Sequence, residues 1–449
     1  MKRIWCEWAW LGGARLEPGV LLELEGERIA SVGAAVTAPA GALALPGYTL
    51  PGLANAHSHA FQRAFRGRAE GAGGDSFWSW RELMYEAAGR LDPDRYRALA
   101  RATFGEMALA GVTAVGEFHY VHHDRGGRTY ADPNEIGKAV VEAAAAAGIR
   151  ITLIDTCYLR GAAGESLGEV QRRFADRDAE AWAQRVEELA GWEGLGAGAR
   201  LGAAIHSVRA VDREAAATVA AFAAARELPL HAHVSEQPRE NEECLAEYGL
   251  TPTALLAEAG ALGERFTAVH ATHLSDDDRR LLGEAGACCC LCPTTERALA
   301  DGIGAAAALR AAGASLAVGS DSQAVIDLFE EARAIELDER LASGERGRHS
   351  AAELAAAATV DGHAAIGWPQ AGAIAPGRLA DLVNLGADGV RLAGAEGASA
   401  LDAIVFAATA PDVANVVVGA ELVVGDGAHT RFDVAAELGA AIAALGSAP

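Results

Sequence analysis

The stretch LANAHSHAFQRAF, residues 53–65, sets two histidines one residue apart at the end of an apolar run. In an extended strand, residues two apart face the same side, so His57 and His59 can converge on one point. Gln62 and Arg63 follow and suit a loop better than a buried strand. An isolated H-x-H pair is weak evidence for a metal. Its meaning depends on what the rest of the chain brings to the same place.

Outward from this stretch, apolar strands alternate with alanine-rich segments. The strands read as 47–57, 112–120, 150–158, 200–208, 228–234, 266–272, 287–292 and 315–320. Between them lie segments such as NEIGKAVVEAAAAAG and DREAAATVAAFAAARE, with Asn or Asp near the start as N-cap. Alanine has the best helix propensity, so these tracts read as helices. Eight strands alternating with helices give an α/β fold, a (β/α)8 TIM-like barrel, expected over residues 47–372. Both chain ends are different. GVLLELEGERIASVG near the start, and PGRLADLVNL and VANVVVGAELVVGDG near the end, read as short strands and hairpins. A small β-sandwich domain built from residues 1–46 and 373–449 is the economical reading.

The 449 residues suffice for one domain of about 300 residues and a smaller one. No apolar run reaches the roughly 18–20 residues a membrane span needs. The start, MKRIWCEWAW, has no signal-peptide pattern, so the expected location is cytoplasmic. A net charge of −23 argues against nucleic acid and against an anionic membrane as partner. It also means that an anionic substrate needs arginines placed at its own site. Of the seven cysteines, four (Cys288, Cys289, Cys290 and Cys292) lie in ACCCLCP, without two separated C-x-x-C pairs. They read as a buried strand of small apolar residues.

A barrel of this type carries its catalytic groups at the C-terminal ends of the strands. His57 and His59 end the first, His119 the second and His206 the fourth. His231 and His233 lie on the fifth, His270 on the sixth, and Asp321 closes the eighth in VGSDS. His57, His59, His233 and Asp321 make a set of three imidazoles and one carboxylate, suited to zinc with a position left open. His231 faces the same side but deeper, behind the ligands or in the core. His119, His122 and His123 in FHYVHHD are assigned no metal, and His273 a loop or cap. His349, His363 and His429 read as surface or packing residues, and Arg63 as surface.

The order H-x-H, H-x-x-E, H, D on eight strands, with PGRLADLV near the end, resembles the amidohydrolase superfamily. NAHSHAFQRAF, FWSWRELMY, GEFHYVHH, HAHVSEQPRENEEC, LCPTTER and GSDSQAVIDLFEEAR are similar to its formimidoylglutamate deiminase family. The resemblance implies hydrolysis of N-formimidoyl-L-glutamate to N-formyl-L-glutamate and ammonia, in histidine degradation, by a metal-dependent homodimer. Relatives with two metals bridge them by a carboxylated lysine at the end of strand 4 or strand 3. Here strand 4 ends in His206, and the lysines are Lys2, near the N-terminus, and Lys138, inside a helix. One divalent ion per subunit is therefore expected. Zn2+ suits the donors best, with iron and manganese chemically allowed.

Protonating the leaving nitrogen needs a general acid. Glu236, three residues after His233, is the candidate. The resemblance gives it proton transfer, gives His270 the orientation of the water, and lets Asp321 share base duty. It also places Gln62, Arg81, Tyr120, His206 and Arg209 around the substrate. Arginine's planar fork suits the carboxylates of a small dicarboxylate. FWSW, residues 77–80, reads as a packing lid. The rival reading is a deaminase of guanine, cytosine or an adenosine derivative, for which two placed arginines are the wrong equipment. A non-catalytic relative would lack the ligands that are present here.

Overall fold

A computed structural model describes residues 2–68, 77–161, 166–396 and 399–446, without the side chains of Phe77 and Trp78. The first strands are β1 (Lys2–Trp10), β2 (Leu16–Glu25), β3 (Arg28–Ala34) and β4 (Leu43–Pro51). The barrel strands are β5 (Leu53–Ser58), β6 (Val112–His119), β7 (Arg150–Cys157), β8 (Ala199–Ile205), β9 (Leu230–Val234), β10 (Phe266–His270), β11 (Cys288–Leu291) and β12 (Ser315–Val318). Near the C-terminus come β13 (Leu382–Leu385), β14 (Val413–Val418), β15 (Glu421–Gly425) and β16 (Ala428–His429).

β5 to β12 pair in chain order, each parallel to the next. Parallel strands covered by helices are buried on both faces and read as continuous apolar runs. β5, β6, β7, β9, β10 and β11 are buried along their whole length. The barrel closes between its first and last strands, through a parallel bridge from Ser58 to Asp321. There Asp321 N–H donates to the His57 carbonyl at 3.0 Å, and His59 N–H donates to the Asp321 carbonyl at 3.0 Å. This approach requires glycine at 319, where a Cβ would stand 2.7 Å from the His57 carbonyl oxygen.

The expected first strand, 47–57, is two strands. β4 runs parallel to β1 and antiparallel to β13 in the terminal sheet, whereas β5 starts the barrel. Residues 47–51, expected in the barrel, therefore belong to the other sheet. The chain changes sheets at Gly52, where a Cβ would lie 2.2 Å from Thr113 Oγ1. An apolar run does not reveal which sheet it enters.

The terminal strands form one hydrogen-bonded sheet in the order β16-β15-β14-β13-β4-β1-β2-β3. Ile4, Cys6, Val20, Leu22, Leu24, Ile29, Leu45, Leu382 and Val417 form its own apolar core. β14 and β15 make a hairpin through Gly419 and Ala420, both at positive φ, as a two-residue turn of type I′ needs. β13 is no hairpin with β14; a long insertion separates the two paired strands. The C-terminal segment also holds helices Ala400–Ala407 and Val434–Gly446, which a reading of strands alone missed. Arg150 at the start of β7 joins barrel to sheet, donating from Nε to Asp381 at 2.8 Å.

Asp212 caps helix Arg213–Ala225 as expected, accepting from Ala215 N–H. Asn134, expected to cap Glu135–Ala147, instead donates from Nδ2 to the Arg185 carbonyl. All seven cysteines are buried and unbridged. Among the described residues, no helix is long and apolar enough to cross a membrane.

Candidate active site

The parallel barrel aims the C-terminal ends of its strands at one mouth. His59 Nδ1 donates to the Phe118 carbonyl and His233 Nδ1 to the His206 carbonyl, each at 2.9 Å. A carbonyl only accepts, so these bonds place the proton on Nδ1 and leave the Nε2 lone pair bare. The freed nitrogens converge. His233 Nε2 lies 3.2 Å from His57 Nε2. Asp321 Oδ1 lies 3.3 Å from His57 Nε2 and 3.4 Å from His59 Nε2.

Three buried imidazoles and a carboxylate around one point form a donor set that fits a divalent cation with N/O preference. Burial pushes the His57 imidazole down to about 3, only partly offset by Asp321, so it stays neutral, as a ligand must. Burial favours a neutral Asp321, but His57, His270 and His59 outweigh it and hold this carboxyl below the usual range.

His270 is buried beside this set, its ligand atom within 4.8 Å of those of His57 and His233. Its Nε2 lies 3.8 Å from Glu236 Oε1 and 3.9 Å from Asp321 Oδ2, and its Nδ1 lies 3.4 Å from Glu296 Oε1. Burial alone would depress this imidazole, but Glu236, Glu296 and Asp321 raise it well above its ordinary value. Ser235, His270 and Asp321 all have positive φ, between 42° and 66°. Such backbone costs about 1–3 kcal/mol per residue and collects where side chains must be aimed.

Above this candidate donor set lies a cavity of about 300 Å³. Its lining includes Gln62, Arg81, Tyr120, His206, Arg209 and Glu236, together with His59, His233, His270 and Asp321. The structure thus brings the expected site residues to one cavity, with His57 beneath it. Gln62 Nε2 donates to Tyr120 Oη at 3.1 Å, and Arg209 Nη2 lies 3.4 Å from Glu236 Oε2. Burial, and then Arg209, push His206 well below its ordinary value, leaving a neutral imidazole.

The remaining histidines lie outside this ligand group. His231 is fully buried, with Nε2 on the Ala365 carbonyl at 3.0 Å. His122 Nε2 donates to the Thr156 carbonyl at 2.9 Å, and His123 Nε2 lies 3.4 Å from Asp176. His119, His349 and His363 are buried as well. His273 Nε2 and His429 Nε2 donate to the carbonyls of Asp301 and Ala147. Arg63, expected at the surface, has a side chain only 16% exposed and pairs with Glu106 at 2.7 Å. Lys138 pairs with Asp132, and Lys2 with Glu421.

Some neighbours escaped the sequence reading. Glu296 accepts from the Cys292 N–H while facing His270, and nothing local in LCPTTER marks it. Cys292 lies within 4.8 Å of the ligand atoms of His270 and Asp321. Tyr158 and Phe174 line the cavity from loops, and Arg239 from the first turn of helix Pro238–Tyr248. In the FWSW stretch, Trp80 packs edge-on against Phe65, with the side chains of Phe77 and Trp78 outside the described residues.

The chain is 42% identical over 400 residues to a formimidoylglutamate deiminase of Pseudomonas aeruginosa, an alignment covering 87% of each chain. It is 32% identical over 396 residues to an 8-oxoguanine deaminase of the same organism, covering 86% of this chain and 84% of that one. The crystal structure of an amidohydrolase from Brucella melitensis superposes with a TM-score of 0.91 at 34% identity, covering 100% of both chains. The sequence model of the amidohydrolase family matches residues 48–423. With that match, its barrel and its ring of histidines, the chain belongs to the amidohydrolase family.

Proposed function

We propose that this enzyme hydrolyses N-formimidoyl-L-glutamate to N-formyl-L-glutamate and ammonia, a step of histidine degradation. The observation that carries the reading is that Arg81 and Arg209 line the same cavity as His59, His233 and Asp321. A dicarboxylate held by two guanidinium forks sets its amidine over the ligand group. The 42% identity to a formimidoylglutamate deiminase supports the same substrate.

His57, His59, His233 and Asp321 hold one divalent ion, best suited to zinc. When bound, such an ion lowers the pKa of water from about 15.7 toward about 7 and polarises the bond under attack. Glu236 delivers the proton that lets nitrogen leave as ammonia. His270, held by Glu296, orients the attacking water, and Asp321 accepts a proton beside it. Gln62, Tyr120 and His206 position the substrate between the two arginines. Water adds to the formimidoyl carbon, the carbon–nitrogen bond to the departing NH2 breaks, and the carbonyl forms. The reading includes a cytoplasmic homodimer, the commonest closed assembly among soluble oligomers.

A second reading, deamination of a planar heterocycle, draws on the 8-oxoguanine deaminase relative and on Tyr158 and Phe174 in the cavity wall. A neutral ring gives the arginines no charge to pair. The test is product analysis with zinc-loaded protein on formimidoylglutamate, 8-oxoguanine, guanine, cytosine and adenosine. N-formylglutamate plus ammonia from the first alone is expected. Glutamate plus formamide, or turnover only of a heterocycle, overturns the reading.

A further inference from the structure

Glu240 has no part in the chemistry above, yet it is a fully buried carboxylate beside the site. It lies in the first turn of helix Pro238–Tyr248, just outside the cavity lining. Its Oε2 lies 3.8 Å from Arg209 Nε, while Arg209 Nη2 lies 3.4 Å from Glu236 Oε2. Two acids therefore meet the Nε–Nη2 side of one guanidinium, one inside the cavity and one outside it. Both Glu240 carboxylate oxygens are buried without a hydrogen bond among the described residues. Ser235, which precedes Glu236, has φ +51°. Burial pushes the Glu240 carboxyl up to about 7, with Arg209 opposing.

A buried charge that loses one of its partners is destabilised and leans on those that remain. Deprived of Glu240, Arg209 has Glu236 as a carboxylate 3.4 Å away. The two groups are already in hydrogen-bond contact, and without the pull of Glu240 the guanidinium would settle more fully on Glu236 and away from the substrate. We propose that Glu240 is a positioning residue for substrate recognition: from outside the cavity it shares Arg209 with Glu236, so that the guanidinium stays available to the substrate's carboxylate instead of being held by Glu236 alone. This rests on the dicarboxylate reading above.

The test is a double-mutant cycle of parent, Glu240→Gln, Arg209→Met and the double variant, each with metal content matched. KM and kcat for formimidoylglutamate are measured, and Kd for glutarate by calorimetry. Glu240→Gln is expected to raise KM and the glutarate Kd about tenfold, with kcat within threefold. In the Arg209→Met background the same change should move either constant less than twofold. An unchanged KM, equal losses in kcat and KM, or the same rise in both backgrounds overturns the proposal. Should the glutamine variant not fold, Glu240→Asp takes its place in the cycle. It is expected to weaken glutarate binding at least threefold, and less than twofold in the Arg209→Met background; any other pattern overturns the proposal. A parent that binds glutarate but does not turn over formimidoylglutamate refutes the deiminase reading alone. The glutarate cycle then still decides the role of Glu240.

Discussion

The carboxylate of Asp321 stands 3.3 Å from Nε2 of His57, although one residue follows the last barrel strand and the other ends the first. The candidate donor set therefore straddles the seam at which the barrel closes. An ion held there binds both sides of the seam in the folded chain and neither in the unfolded one.

Metal and stability should accordingly be coupled. At a free metal concentration one thousand times Kd, linkage adds about 4 kcal/mol. Chelation is expected to lower Tm, and Asp321→Asn to lower metal affinity at least tenfold, read by calorimetry and elemental analysis. A Tm indifferent to chelation would falsify the assignment of the seam as the metal site.

Gly319 tests the closeness of the seam itself. A Cβ there would meet the His57 carbonyl oxygen at 2.7 Å and the His57 Cβ at 2.8 Å. Gly319→Ala must push β5 away from β12, at a cost of about 1–3 kcal/mol. A lower urea midpoint and weaker metal retention are expected. Stability and metal content equal to the parent would mean that the strands give way freely.

Glu236 separates holding from reacting. It lies 3.8 Å from His270 and outside the ligand group. Glu236→Gln should retain full metal while kcat falls by about 10²–10⁴-fold, the usual range for a lost general acid. Turnover near the parent's, at equal metal loading, would remove Glu236 from proton transfer.

His122 predicts a pH dependence away from the ligands. Burial, and then Arg185, push its imidazole from 6.5 down to about 4. The unfolded chain takes up this proton near pH 6.5 and the folded chain only near 4. Stability is therefore lost as pH falls from about 6.5 toward 4, by about 2 kcal/mol at pH 5. Glutamine can keep the bond to the Thr156 carbonyl without titrating. The fall in Tm between pH 7.5 and pH 5 should be shallower in His122→Gln, and equal slopes in both proteins would contradict this account.

Much of the fold is legible along the chain because its signals are local. Period-two histidines at 57 and 59, alanine tracts and the Asp212 cap act within a turn or a strand. The place of the site follows too, since the C-terminal end of a barrel strand is known once the strand is. Even so, 43–51 and 53–58 look alike as apolar runs and enter different sheets.

The order of residues along the chain is enough to establish the alternation of strand and helix and the row of imidazoles at the strand ends. The groups that back the site arrive only on folding: Glu296 against His270, Glu240 against Arg209, Glu106 against Arg63. The physical reason is range. Periodicity records what a residue does within its own element. The partner of a buried charge is chosen by the folding of distant segments onto one another, which leaves no periodic trace in the chain.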